Sequence, residues 1–285
     1  MNTLTDFSAT HCCDSLTLPL SPETALRVHS VFQRACNLQT RQGALWVIQA
    51  QGMPLAPSGM IITRHDLRPL FRTGESLHRD NEGNLRTEKT RIRLDQTVAC
   101  STRLPICTEA PALAQLARQI AAFFACQPAK GIRLALMSDP ALIAAHQALT
   151  EWLLSGNGDL TAILTTFIGR GEGLTPAGDD FLLGVLWVLE WSTSPDVGTL
   201  TAALPGLLAR TTDISRAMLT QGCGGHYSAQ LLALAQGNTR TWPAAVANVA
   251  DYGHSSGHDM LAGILTAATA LAERREKAPL HISPF

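Results

Sequence analysis

Two stretches of this sequence concentrate residues that could do chemistry. The first runs Gly169-Arg-Gly-Glu-Gly-Leu-Thr-Pro-Ala-Gly-Asp-Asp-Phe-Leu-Leu-Gly-Val-Leu186. Three glycines in five residues precede a Thr-Pro pair, a further glycine and two adjacent carboxylates, and a strongly apolar segment follows. The second runs Gly253-His-Ser-Ser-Gly-His-Asp-Met-Leu-Ala-Gly-Ile-Leu265. Aligned on Gly178 and Gly257, 79 residues apart, both read G-x-D-x-L-x-G-[VI]-L. The alignment matches Asp180 with Asp259 and Gly184 with Gly263, and each match has a hydroxyl just upstream: Thr175, or Ser255 and Ser256.

Each pattern reads as a flexible loop leading into a helix. The free N–H groups and positive dipole end of such a helix start favour an anion, and glycine lets the backbone approach a ligand closely. A glycine one turn inside a helix costs up to about 1 kcal/mol against alanine. That cost is understandable if the two helices touch at Gly184 and Gly263, with both N-termini at one common pocket. The plainer alternative makes Asp180 and Asp259 simple caps and leaves the glycines to packing.

Other constellations are weaker. Asp179 and Asp180 could hold a divalent cation through oxygen, and His226, His254 and His258 could supply nitrogen. No HExxH or Cys/His pair of metal-site spacing occurs, however, so no metal is assigned. Cys223, between glycines and three residues before His226, could form a thiol–imidazole pair, but those glycines fit a helix end better. His11-Cys12-Cys13-Asp14 is short and near the terminus. Gly169-Arg-Gly-Glu-Gly173 lacks dinucleotide-loop spacing, and neither a Walker loop nor G-x-S-x-G is present. Only Lys89, Lys130 and Lys277 among the 22 basic residues are lysines, and arginine forks suit carboxylate and phosphate oxygens. Arg64, after Pro57-Ser-Gly-Met-Ile-Ile62, is the arginine most suited to a site.

The elements that must position these residues change character near residue 108. Before it, Ala44–Ala50, Gly59–Thr63 and the alternating Leu85–Val98 are short, Gly/Pro-bounded runs, predicting mostly antiparallel strands. Arg91 and Arg93 would share a strand face. One helix is expected over Pro22–Asn37, with Ser21 as N-cap and Pro22 at its first position. After Pro111, helices are expected at 112–126, 140–154 (capped by Asp139), 179–191, 197–211, 213–221, 226–236, 242–251 and 258–274. The class is α+β: a β-rich region over 1–108, then a mainly helical region over 109–285 carrying both motif-bearing helix starts.

Composition bounds the rest. With 22 basic and 23 acidic residues the formal charge is −1, which argues against a nucleic-acid binder working through a basic field. The longest apolar run, Phe181–Leu189, is too short to span a bilayer, and no apolar secretory segment precedes Arg27. The expectation is a cytoplasmic chain without membrane contact, its seven cysteines present as thiols.

Gly173-Leu-Thr-Pro-Ala-Gly-Asp-Asp-Phe-Leu182, together with Gly253-His-Ser-Ser-Gly-His-Asp259 and the β-rich first third, resembles the AllH (YlbF) family over nearly the whole chain. The resemblance implies a subunit of bacterial oxamate carbamoyltransferase in anaerobic allantoin degradation, working with AllF-like and AllG-like subunits. The implied reaction is oxamate + carbamoyl phosphate ⇌ oxalurate + phosphate, running toward carbamoyl phosphate, without a cofactor. The S-T-R-T loop of the ordinary carbamoyltransferases is absent; Ser101-Thr-Arg103 is a fragment with no helix start after it. In this scheme Asp180 and Asp259 are the catalytic candidates. Gly173, Thr175, Gly178, Asp179, Ser255, Ser256, Gly257, His258 and Arg64 are the substrate-binding candidates. The rival readings are a non-catalytic scaffold or regulatory subunit, and a metal-dependent hydrolase using Asp179 and Asp180.

Overall fold

The computed structural model describes residues 4–14, 26–107 and 112–277. Backbone contacts divide it into one unit of residues up to Arg103 with His226–Ala229, and a second of Leu104–Gly225 with the chain from Gln230 onward.

The first unit is a β-barrel. Its strands are β1 (Thr5–Cys13), β2 (Leu26–Val31), β3 (Ala35–Gln39), β4 (Leu45–Gln49), β5 (Gly59–Ile62), β6 (Ser76–Arg79), β7 (Leu85–Arg86), β8 (Thr90–Arg93) and β9 (Val98–Cys100). Neighbours run β5-β4-β3-β2-β6-β7-β8-β1, and a β1–β5 pairing closes that ring of eight. The closure depends on β1 being long. Its first half pairs in parallel with β8 (Thr5 with Thr90, Ser8 with Arg93), and its second half pairs antiparallel with β5 (Ala9 with Ile62, Cys12 with Met60). Ring closure leaves no open edge within the ring. The interior is filled by alternating apolar side chains such as Phe7, Val28, Leu38, Ile48, Leu77 and Ile92. Arg91 and Arg93 do lie on the outward face of β8, as the period-two pattern implies.

The helix expected over Pro22–Asn37 is not formed. Residues 26–39 instead make the antiparallel pair β2–β3. Leu26 and Val28 are buried while Arg27 between them is exposed, so the period-two pattern prevails over the Ser-Pro start signal. Ser21 and Pro22 lie outside the described residues.

The second unit is helical: α1 (Ala112–Ala125), α2 (Ile132–Ala135), α3 (Pro140–Ser155), α4 (Leu160–Phe167), α5 (Ala177–Trp191), α6 (Val197–Ala203), α7 (Asp213–Cys223), α8 (Ala229–Ala235), α9 (Trp242–Ala250) and α10 (Ser256–Lys277). The chain is therefore α+β. Asp139 caps α3 by accepting from the N–H groups of Ala141 and Leu142, with Pro140 at the first position, and Gly156 ends that helix left-handed at φ 76°. Pro205 breaks the helix expected over 197–211 into α6 and a 3₁₀ segment, Leu204–Arg210. The helix expected from 226 starts at Ala229, because Tyr227 donates its N–H to the Thr102 carbonyl and His226 bridges to Arg103 within the first unit. Helices α2 and α4 form where no helix was expected.

Helix α5 is buried from Gly178 through Leu189 and lies against α10. A β-carbon on Gly184 would stand 2.1 Å from the Met260 carbonyl oxygen, and one on Gly263 would stand 1.9 Å from the Phe181 carbonyl oxygen. Each helix thus presses its backbone onto the glycine of the other. This contact brings the two helix N-termini to one end of the pair.

Candidate functional site

The loop before α5 turns on glycines at positive φ: Gly169 (73°), Gly171 (119°) and Gly173 (90°). It is anchored at three points. Gly178 donates its N–H to the Arg170 carbonyl at 2.8 Å, and Thr212 donates its hydroxyl to the Leu174 carbonyl at 2.5 Å. Asp179 accepts from the Gly169 N–H at 2.8 Å and from the Thr211 hydroxyl. Gly178 leaves no room for a side chain, since a β-carbon there would meet the Phe167 carbonyl oxygen at 2.0 Å.

The start of α10 is built differently. Gly257 donates to the Tyr252 carbonyl, and its α-carbon rests on the backbone of α9, where a β-carbon would come 1.8 Å from the Val249 oxygen. A Thr175 Oγ1–Ser256 Oγ hydrogen bond of 2.9 Å joins the α5 loop directly to the first residue of α10.

Between these helix N-termini and the 131–142 segment opens a cavity of about 850 Å³. Gly131, Ile132, Ser138, Arg170–Thr175, Ala177 and His254–Ser256 are among its lining residues. Lys130 Nζ reaches the His254 carbonyl at 2.8 Å beside it. Arg170 forms an ion pair with Asp139, the α3 cap.

Behind the lining lie the two matched carboxylates. Asp180 is 2% exposed. Burial pushes its carboxyl well above the ordinary 3.8, and the charges of Asp259 and Asp179 add to the rise, while the nearby Ser256 and Thr175 hydroxyls work the other way. Asp259 is fully buried and accepts from the Ile132 N–H at 2.6 Å. Burial pushes its carboxyl up to about 6, against that bond and the Ser255 hydroxyl. In both carboxyls Oδ2 is buried with no hydrogen-bond partner.

The candidate residues therefore sort by position. Gly173, Thr175, Ser255 and Ser256 line the cavity, and Asp180 and Asp259 sit behind it. Asp179 spends both oxygens on the loop and on Thr211, so it does not pair with Asp180 toward a cation. Gly178 and Gly257 serve close backbone packing. His258 is 5% exposed and packs with Phe123 and Phe124, each ring centroid 5.8 Å from its own. Burial lowers that imidazole to about 4, with Lys130 and Arg133 adding to the effect, so it is neutral at pH 7. Arg64 belongs to the barrel unit, its guanidinium 4.7 Å above the Phe7 ring. Among the described residues, no group of three His, Cys, Asp or Glu is placed to hold a metal ion. The Cys223 thiol is pushed up to about 11 by burial, the opposite of an activated nucleophile.

Sequence reasoning missed the Lys130–Ile132 segment. Gly131 has φ 57°, and a β-carbon there would fall 2.0 Å from Asp259 Oδ1. The available signal was a lysine, rare in this chain, followed by glycine; their meeting with Asp259, 128 residues from Gly131, is a tertiary event.

A closed barrel and a helical unit, the latter with two joined helix N-termini around a glycine-lined cavity, define the class of protein: an α+β chain with a candidate small-ligand site at paired helix starts. Residues 8–101 match the AllH family N-terminal domain, and residues 167–268 match the family described as oxamate carbamoyltransferase subunit AllH. The chain belongs to the AllH family, and that description indicates a subunit of oxamate carbamoyltransferase. No curated protein and no solved structure matched the chain. Among the described residues no helix is long and apolar enough to cross a membrane.

Proposed function

We propose that this subunit binds the reacting anions of oxamate carbamoyltransferase in the cavity between the N-termini of α5 and α10. The reaction is oxalurate + phosphate to oxamate + carbamoyl phosphate, within anaerobic allantoin breakdown, and the partners are AllF-like and AllG-like subunits. The observation that carries the reading is the joining of two motif-bearing helix starts, through Thr175 and Ser256, at the wall of one cavity.

The chemistry asks for two things. The substrates are small anions, and carbamoyl transfer needs them held in line while negative charge develops at the carbamoyl carbon. The glycine loop and the N-terminal turns of α5 and α10 offer backbone dipoles for that charge. Lys130 and Arg170 add cationic groups near the opening. Thr175, Ser255 and Ser256 supply hydroxyls that orient the carbamoyl end.

The test is phosphate-dependent cleavage of oxalurate by the complex of this chain with its sister subunits. Ser138 is exposed on the cavity wall, so Ser138→Trp obstructs the cavity without disturbing the core. Turnover is expected from the complex, little from the single chain, and a large loss with Ser138→Trp. Equal turnover with the cavity obstructed, or full turnover without this chain, defeats the reading.

A further inference from the structure

We infer that the mouth of this cavity is a docking surface for a sister subunit, whose apolar segment, bearing a carboxylate, covers Leu134, Met137 and Leu174 and closes the site. The inference rests on the carbamoyl-transfer reading and names the face at which the complex completes it.

The argument begins with exposure. Among the described residues six large apolar side chains stand exposed, and three of them gather here. Leu134 (55%) lines the cavity from α2, and Leu174 (50%) lines it from the glycine loop. Met137 is the most exposed of the six, at 71%. Its N–H donates to the Leu134 carbonyl, in the turn that leads to the lining residue Ser138. Apolar side chains gathered at one place and rimmed by polar groups mark a contact surface.

Charge says what covers it. Arg133 on α2 is half-buried, and no acid pairs with it among the described residues. Its guanidinium lies 4.0 Å over the Phe124 ring, Nη2 makes a long bond of 3.5 Å to the Phe124 carbonyl, and Nη1 is buried with no partner. A guanidinium partly withdrawn from water calls for a counter-charge. Lys130, three residues earlier, donates to the His254 carbonyl and not to a carboxylate. A second copy of this chain would set Lys130 and Arg133 of one chain against those of the other, with Glu172 the rim acid not already in an ion pair. A different chain with a carboxylate meets the need without that repulsion.

Volume points the same way. About 850 Å³ suits a drug-sized molecule, and oxalurate with phosphate fills a small part of it. The remainder would hold water beside carbamoyl phosphate, which water hydrolyses. A segment seated on the mouth takes up that space and excludes the water. The family description, a subunit of a larger enzyme, supplies such a chain.

The test reads assembly separately from turnover. The full chain is mixed with AllF-like and AllG-like subunits, and complex formation is followed by light scattering and interferometry. Met137→Glu and Leu174→Glu should each keep the wild-type melting temperature and weaken assembly about 30-fold or more, and Arg133→Glu about tenfold. Val98→Glu and Ile106→Glu, at comparably exposed residues outside the cavity lining, should assemble as the wild type does. A measurement on the wild type needs no variant: Met137 of the single chain should form its sulfoxide in dilute hydrogen peroxide and be protected in the complex. Four results overturn the inference: rim variants assembling within about threefold of the wild type, controls weakening assembly equally, Met137 oxidising equally in chain and complex, or the rim joining two copies of this chain instead. A complex that assembles through the rim but transfers no carbamoyl group defeats the reaction reading and leaves the docking surface standing.

Discussion

The starts of α5 and α10 carry the same G-x-D-x-L-x-G pattern and put it to different uses. Their glycines behave alike: Gly184 and Gly263 each receive a backbone carbonyl of the other helix, and Gly178 and Gly257 each rest on a neighbouring backbone. Their carboxylates diverge. Asp180 lies near two hydroxyls at the cavity wall, whereas Asp259 accepts from the Ile132 N–H and lies against Gly131. A repeated pattern thus specifies a repeated packing contact, and the segments that cross each helix N-terminus decide what its acid does. Both starts line the cavity, and the α10 acid in addition holds the Lys130–Ile132 wall in place.

The likeness of the glycines can be broken most forcefully. Gly263→Ala places a β-carbon where the Phe181 oxygen now stands, and Gly184→Ala does the same to Met260. Backbone cannot move aside as a flexible side chain can, so each should lose about 3 kcal/mol or more, at the upper end of overpacking. Denaturant titration reads the loss, and a change under about 1 kcal/mol would mean the helices are not in close contact.

The divergence of the carboxylates has a pH signature. Asp259 titrates at about 6 in the folded chain against an ordinary 3.8, so the folded state binds that proton more tightly. Its contribution is fully present below about pH 4 and is lost as pH rises through about 6; two pK units correspond to about 3 kcal/mol. Asp259→Asn keeps an oxygen for Ile132 and should flatten that part of the stability–pH curve. An unchanged curve in the variant would show that Asp259 is not the titrating group.

Two smaller effects sharpen the account of the α5 loop. Thr211→Val removes the hydroxyl that Asp179 accepts from and should cost about 1–3 kcal/mol, the usual range for a buried acceptor left short of a donor. Arg170→Ala breaks a half-exposed pair with Asp139 and should cost no more than about 1 kcal/mol of stability. Its effect should instead appear as weaker phosphate binding, read by calorimetry, because Arg170 lines the cavity.

Much of the local structure was legible. The strands β4 and β5, the Asp139 cap of α3 and the helices α1, α3, α5 and α10 follow from periodicity and end signals. The β2–β3 pair did not, because a Ser-Pro start signal competes with a short alternating run. The short α2 carries too few residues to show a period. In the site, Thr175, Ser255 and Ser256 were visible as hydroxyls beside glycines. The burial of His258 against two phenylalanines was not, since Phe123 and Phe124 are remote in the chain.

By itself, then, the sequence determined that two glycine-bearing helix starts exist, that they match, and that the chain passes from strands to helices. Those are local properties, set by backbone sterics, capping groups and the period of apolar residues. Only the tertiary structure decided that these helix N-termini share one cavity, that Asp179 is spent on its own loop, and that Asp180 faces hydroxyls while Asp259 faces a backbone N–H. Those outcomes depend on which distant segments fill the space around each carboxylate. A carboxylate's chemistry is set by its neighbours and its burial, and neither is written in the residues beside it.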